Sequence, residues 1–136
     1  MSTDLMRKDI SSLNVLVADD DKMMRKMIEY ALKAMGIQNV TLVCDGMHAL
    51  QVLETPGTTF DLIICDWMMP KMDGMEFLRQ VRTRKIFTQF LMLTGKATTE
   101  AVSAAVGAGA NSYIVKPFAV EEFHKKIRML INNIEP

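Results

Sequence analysis

Asp61-Leu62-Ile63-Ile64-Cys65-Asp66-Trp67-Met68-Met69-Pro70-Lys71-Met72-Asp73-Gly74 is the stretch on which the fold turns. Leu62 to Cys65 form an apolar run with no polar interruption, the pattern of a short strand buried on both faces. Asp66 closes that run. Pro70 and the Asp73-Gly74 pair then turn the chain before a helical spacing begins at Phe77, Leu78 and Val81. A carboxylate at the carboxyl end of a buried parallel strand lies where open α/β sheets place their chemistry. Taken alone, Asp66 reads better as a helix or turn cap; the rest of the chain reverses that preference.

Working outward, the same strand-then-helix unit recurs. Leu13 to Ala18 reads as a strand that ends on Asp19-Asp20-Asp21. Met24, Met27, Ile28, Ala31, Leu32 and Met35 then form one apolar helical stripe, with Asp21 as its N-cap and Gly36 after its end. Val40 to Cys44 is a second strand, followed by a short helix burying Ala49, Leu50 and Leu53 and stopped by Pro56-Gly57. Past the opening stretch, Arg79, Arg82, Arg84 and Lys85 fall mostly on the wet side of the third helix. Gln89 to Leu93 is a fourth strand. Thr98 or Thr99 caps the next helix, which carries Ala101, Ala104 and Ala105 and ends at Gly107 and Gly109. Ser112 to Val115 is the fifth strand, and the last helix buries Val120, Phe123, Ile127, Leu130 and Ile134.

Strands alternating with helices throughout predict one doubly wound α/β domain on a five-stranded parallel sheet. The domain is expected over residues 12–136, after a flexible leader at 1–11 that shows no sustained period. Sixteen basic residues balance sixteen acidic ones, so no net field recruits nucleic acid or a membrane surface. No apolar run approaches the ~20 residues that span a bilayer, and the amino end lacks a signal-peptide core. A cytoplasmic monomer is expected. Cys44 and Cys65 share no metal-site spacing and are read as buried, reduced thiols. His48 and His124 are read as surface residues, and the thirteen methionines chiefly as core filler.

In a parallel sheet the carboxyl ends of all strands share one edge. Asp19 and Asp20, Asp66, Thr94 and Lys116 lie just past those ends. They meet only if strands one, three, four and five are neighbours, which the order 2-1-3-4-5 achieves. Three carboxylates at ~4 Å repel by about 4 kcal/mol per pair at an effective dielectric of about 20. Such a cluster requires a cation or raised pKa values, and an all-oxygen donor set suits Mg²⁺ or Mn²⁺. The combination suggests phosphoryl chemistry. A carboxylate attacks phosphorus, a divalent ion and Lys116 neutralise the oxygens, and the Thr94 hydroxyl and Gly95 N–H offer donors. Each residue also has a plainer reading: Thr94 as a helix cap, Lys116 as a surface cation, Tyr113 as a half-buried aromatic.

Val17-Ala18-Asp19-Asp20, Cys65 to Gly74, Leu93-Thr94-Gly95 and Tyr113 to Phe118 together resemble the receiver domain of two-component response regulators. Within that family the chain is most similar to the stand-alone chemotaxis (CheY-like) type, over roughly residues 13 to 133. The resemblance implies a flavodoxin-like fold with Asp66 as phosphoacceptor. It implies Mg²⁺ held directly by Asp20, Asp66 and the Met68 backbone carbonyl, with Asp19 acting mainly through water. Lys116 and Thr94 then meet the phosphoryl group, the Lys116-Pro117 bond is cis, and Tyr113 swings inward to reshape a binding face. That face is made by the fourth helix, fifth strand and last helix. The implied donor is a CheA-like histidine kinase. The implied target is a flagellar switch protein or, second, a histidine phosphotransfer protein, and catalysis is limited to the protein's own phosphorylation and dephosphorylation.

Two residues depart from the chemotaxis pattern. Met68 replaces a polar residue, often Asn, and Lys96 stands where an acid is common, so the phosphate lifetime is expected to differ. Output through protein contact is expected, since no second domain or basic helix suggests DNA binding. An aspartate-nucleophile phosphatase would use the same attack, but Asp66-Trp67-Met68 lacks the second acid such enzymes carry. A flavodoxin-like nucleotide carrier wants a hydroxyl- and Gly-rich loop after the first strand, where Asp19-Asp20-Asp21 would repel phosphate.

Overall fold

In a computed structural model, which describes residues 9–134, five parallel strands make one sheet. They are β1 (Asn14–Ala18), β2 (Asn39–Val43), β3 (Leu62–Asp66), β4 (Gln89–Thr94) and β5 (Ser112–Val115). Their order is β2-β1-β3-β4-β5, so the chain reverses direction across the sheet between β1 and β3. Five helices connect and follow them: α1 (Lys22–Ala34), α2 (Gly46–Glu54), α3 (Gly74–Thr83), α4 (Thr99–Ala108) and α5 (Val120–Asn132).

Alternation along each strand divides the core in two. Leu16, Ala18, Ile63, Cys65, Phe90 and Met92 face α2, α3 and α4, where they meet Leu50, Phe77, Leu78 and Ala105. Val15, Val17, Leu62, Ile64, Leu91, Leu93 and Ile114 face α1 and α5, against Ile28, Leu32, Phe123 and Ile127. Every residue of β3 is buried, because neighbours flank it on both sides and helices cover both faces.

The helix starts follow their caps. Asp21, Asp45, Asp73 and Thr98 each accept a backbone N–H of the following first turn, at 2.9, 2.8, 2.9 and 3.1 Å respectively. Thr98, then, is the cap of α4, and Gly109 rather than Gly107 ends that helix, at φ 111°.

Several expectations need correction. Cys44 is exposed, because it lies just past the end of β2, an edge strand with a neighbour on one side only. Met27 and Val120 are exposed: the first sits on the rim of the α1 stripe, the second begins α5. Met23, Met47, Met68 and Met129 are exposed too, so core filling accounts for fewer methionines than expected. His124 is half-buried, with a ring nitrogen 3.0 Å from the Ala31 carbonyl oxygen.

Arg82 is the largest departure. Its guanidinium donates to the carbonyls of Ile86, Thr88 and Gly109 and to Asn111 Oδ1, tying α3 to the loops flanking β4 and β5. At the amino end, Ile10–Ser12 form a 3-10 turn, which takes in the last two positions of the expected leader. Residues 1–8 of that leader lie outside the described residues.

Candidate functional site at the carboxyl edge of the sheet

The five strands deliver their carboxyl ends to one edge, and the acidic residues meet there. Asp19 follows β1 and is fully buried, Asp66 ends β3 at 6% exposure, and Asp20 is exposed beside them. One carboxylate oxygen from each lies within 4.8 Å of the others. Lys116, just past β5, places Nζ 3.1 Å from Asp19 Oδ2 and 3.2 Å from Asp66 Oδ1. One ammonium therefore pairs with two of the three clustered carboxylates.

Asp19 is the most tightly held of them. Its Oδ2 accepts from Lys116, its Oδ1 accepts the Asp21 N–H at 2.9 Å, and its backbone carbonyl accepts from Arg25 at 2.8 Å. Asp20 has no such hydrogen bond among the described residues and keeps its oxygens free for an incoming group. Burial, and then the charge of Asp19, push the Asp66 carboxyl above its ordinary range, although Lys116 pulls the other way. Burial alone would lower the Lys116 ammonium, but its hydrogen bond and charge pairing with Asp19, then Asp66, raise it on balance.

The sign of the resulting stability effect follows. A carboxyl whose folded pKa is raised contributes stability below its unfolded value, near 4, and loses it as pH rises through the folded value. Asp66→Asn is thus expected to stabilise the metal-free fold at neutral pH by about 1 kcal/mol. Thermal unfolding in chelator should show that advantage shrinking as pH falls toward 4.

Thr94, at the end of β4, is buried. Its hydroxyl oxygen accepts the Lys96 N–H at 2.8 Å, which leaves its own O–H free to donate. Gly95 follows it and is exposed. The Lys116-Pro117 peptide is cis. Tyr113 lies half-buried on β5, two positions before the Thr94 partner Val115. Met68 is 63% exposed in the turn after β3, and Lys96 sets its ammonium 5.2 Å from the centre of the Trp67 ring. The structure therefore gathers Asp19, Asp20 and Asp66, brings Lys116 into contact with Asp19 and Asp66, and lines Thr94 up on the neighbouring strand. Tyr113 stands back from that edge, within β5 and opposite Met92 of β4.

Gly74 and Gly46 were not legible as site residues. A Cβ on Gly74 would overlap the Asp66 carbonyl oxygen and lie 3.0 Å from Trp67 Cα. Gly46 stands in the same relation to the Met72 carbonyl oxygen, whose lone pair its N–H also meets at 3.1 Å. Each glycine follows an N-capping Asp, and that repeated Asp-Gly is the signal available in the sequence.

The response regulator receiver domain family matches residues 15–128, most of the chain. The chain belongs to that family. It is 34% identical over 124 residues to the chemotaxis protein CheY of Pseudomonas aeruginosa, covering 90% of this chain and 98% of that protein. It is also 34% identical over 125 residues to the response regulator MprA of Mycobacterium bovis. That match covers 92% of this chain and 53% of the longer MprA. Among solved structures, the receiver domain of Francisella response regulator 1452 matches with a TM-score of 0.83 at 33% identity, covering 89% of this chain and 98% of that one. The chemotaxis response regulator CheY4 of Vibrio cholerae matches at 0.79 and 33%, covering 87% and 98%. This receiver thus has the CheY-like fold and belongs to a two-component signalling protein. Among the described residues, no helix is long and apolar enough to cross a membrane.

The donor set fits a divalent cation. Three clustered carboxylates against one ammonium leave charge uncompensated, and after burial it is the charge of Asp19 that pushes the Asp66 carboxyl up. All the donors are hard oxygens, suited to Mg²⁺ or Mn²⁺.

Proposed function

We propose that this receiver accepts a phosphoryl group on Asp66 from a histidine kinase of the CheA-like kind and signals by changing one binding face. The observation that supports this most is the placement of Asp66, between Asp19, Asp20 and Lys116, at the carboxyl end of β3. An Asp66 carboxylate oxygen attacks phosphorus, the P–N bond of the donor phosphohistidine breaks, and the departing imidazole takes a proton. Asp20, Asp66 and the Met68 carbonyl would hold Mg²⁺ or Mn²⁺, with Asp19 reaching it through water. The bound ion supplies neutralisation of the negative charge on the transferring oxygens.

The chain's own groups do the rest. Lys116 exchanges its carboxylate partners for a phosphoryl oxygen, and the free Thr94 O–H donates to another. Drawing Thr94 toward the phosphoryl group frees space along β4, into which Tyr113 turns. The face of α4, β5 and α5 then differs between the two states. A chemotaxis role with a flagellar switch target fits the near-complete match to a CheY, and a relay to a histidine phosphotransfer protein is the second reading. Both operate in the cytoplasm and need no nucleic acid.

Incubation with acetyl phosphate and Mg²⁺ followed by intact mass measurement tests the reading. One added phosphoryl group is expected on the wild-type protein, and none on Asp66→Asn or in chelator. An adduct that persists in Asp66→Asn would move the chemistry elsewhere. A wild-type protein that neither forms the adduct nor binds Mg²⁺ would remove the switch altogether.

A further inference from the structure

We infer that Lys126 is a positioning residue: its ammonium latches the Tyr113 ring at the open edge of β5 and couples α5 to the opposite face of the sheet. β5 is an edge strand, and its residues alternate between the two cores. Ile114 is buried on the α1 and α5 side, while Tyr113 packs against the cluster of α2, α3 and α4. Lys126 rises from α5, on the Ile114 side. Its Nζ nevertheless lies 5.2 Å from the centre of the Tyr113 ring, so the side chain passes around the unpaired edge of the sheet.

Among the described residues nothing else explains that path. Glu122 stands one turn earlier on α5, the ordinary i, i+4 partner for a lysine, and yet no ion pair joins them. Among the described residues Lys126 makes no hydrogen bond, and neither does the Tyr113 hydroxyl. Core side chains on one side and the ammonium on the other therefore set the ring's orientation. Both residues are half-buried, which strengthens a cation held over an aromatic face relative to open solvent. Arg82, by contrast, lies 6.0 Å from the Phe90 ring but is already held by carbonyl oxygens, so that contact sets nothing.

A contact of this kind biases a rotamer equilibrium about two- to fivefold, enough to tilt a switch and weak enough to be overcome by one. Its signalling consequence rests on the proposed movement of Tyr113, whereas the latch itself does not.

Tyr30 and Tyr113 are the chain's two tyrosines, so tyrosine-selective labelling yields two sets of NMR signals, which Tyr30→Phe assigns. Three-bond couplings to the ring carbon, with relaxation dispersion for a minor form, give the Tyr113 χ1 populations. In unphosphorylated Lys126→Met the ratio is expected to shift about two- to fivefold, while Lys126→Arg keeps the wild-type ratio. Unchanged populations in Lys126→Met, or equal shifts in both variants, would overturn the latch. The same couplings in wild-type protein with acetyl phosphate and Mg²⁺ test the Tyr113 movement separately, so the two failures are distinguishable.

Discussion

Gly74→Ala is expected to lower the melting temperature by roughly 10 °C, about 3 kcal/mol for a chain of this size. The added Cβ would overlap the Asp66 carbonyl oxygen and press on Trp67 Cα. Neither atom can give way cheaply. Trp67 N–H is bonded to the Leu93 carbonyl at 2.9 Å, and Gly74 N–H to the Trp67 carbonyl at 2.8 Å, so both sides of the clash are pinned. The second consequence is chemical, because relief of the overlap moves the backbone that carries the Asp66 carboxylate. Displacement of a reacting group by about 1 Å costs on the order of a hundredfold in rate. Urea unfolding and the rate of acetyl phosphate labelling, measured on one preparation, should fall together. Wild-type stability in Gly74→Ala would show that the turn after β3 yields more readily than its hydrogen bonds indicate.

Lys116→Met carries an effect of similar size through electrostatics. Lys116 is the cation that Asp19 and Asp66 share, at 3.1 and 3.2 Å, and Asp19 is fully buried. Removing one member of a buried ion pair leaves the other uncompensated, at about 3 kcal/mol. The pH dependence follows from the directions of the shifts. Lys116, raised in the fold, contributes stability below its unfolded value and loses it only as alkaline pH passes its folded value. Asp66, raised already, moves further up when Lys116 no longer pulls it down. The deficit of Lys116→Met should thus be full at neutral pH and shrink as acid protonates Asp66. A divalent cation offers the other remedy: at a hundred times its Kd it adds about 2.7 kcal/mol to the native state. Melting curves with Mg²⁺ and with chelator at pH 7 and pH 4 give the four values needed. A deficit that is indifferent to both pH and Mg²⁺ would mean that Lys116 acts through the bulk of its stem.

The alternation of apolar runs with helical stripes made the doubly wound sheet legible, since period and length separate buried strands from helices locally. The order β2-β1-β3-β4-β5 was inferred from where the acids had to meet, and the strand pairing agrees with it. Burial was less legible at the margins. Cys44, Met27 and Val120 have apolar neighbours in sequence, but their exposure depends on which strand is an edge and where a helix overhangs the sheet. Arg82 looked like a solvated cation because its acceptors are carbonyls beyond α3 and as far away as Gly109, and carbonyls leave no mark in a sequence.

Local residue identity, then, was enough for the strands, the cap at Asp21, and the acids that end β1 and β3. Tertiary structure alone decided that Asp19 is sealed while Asp20 stays open, that one lysine serves two carboxylates, and that Lys126 reaches Tyr113 around the edge of β5. The physical reason is range. Periodicity and capping act over a few residues, whereas burial and charge pairing are set by groups that only the assembled sheet brings together.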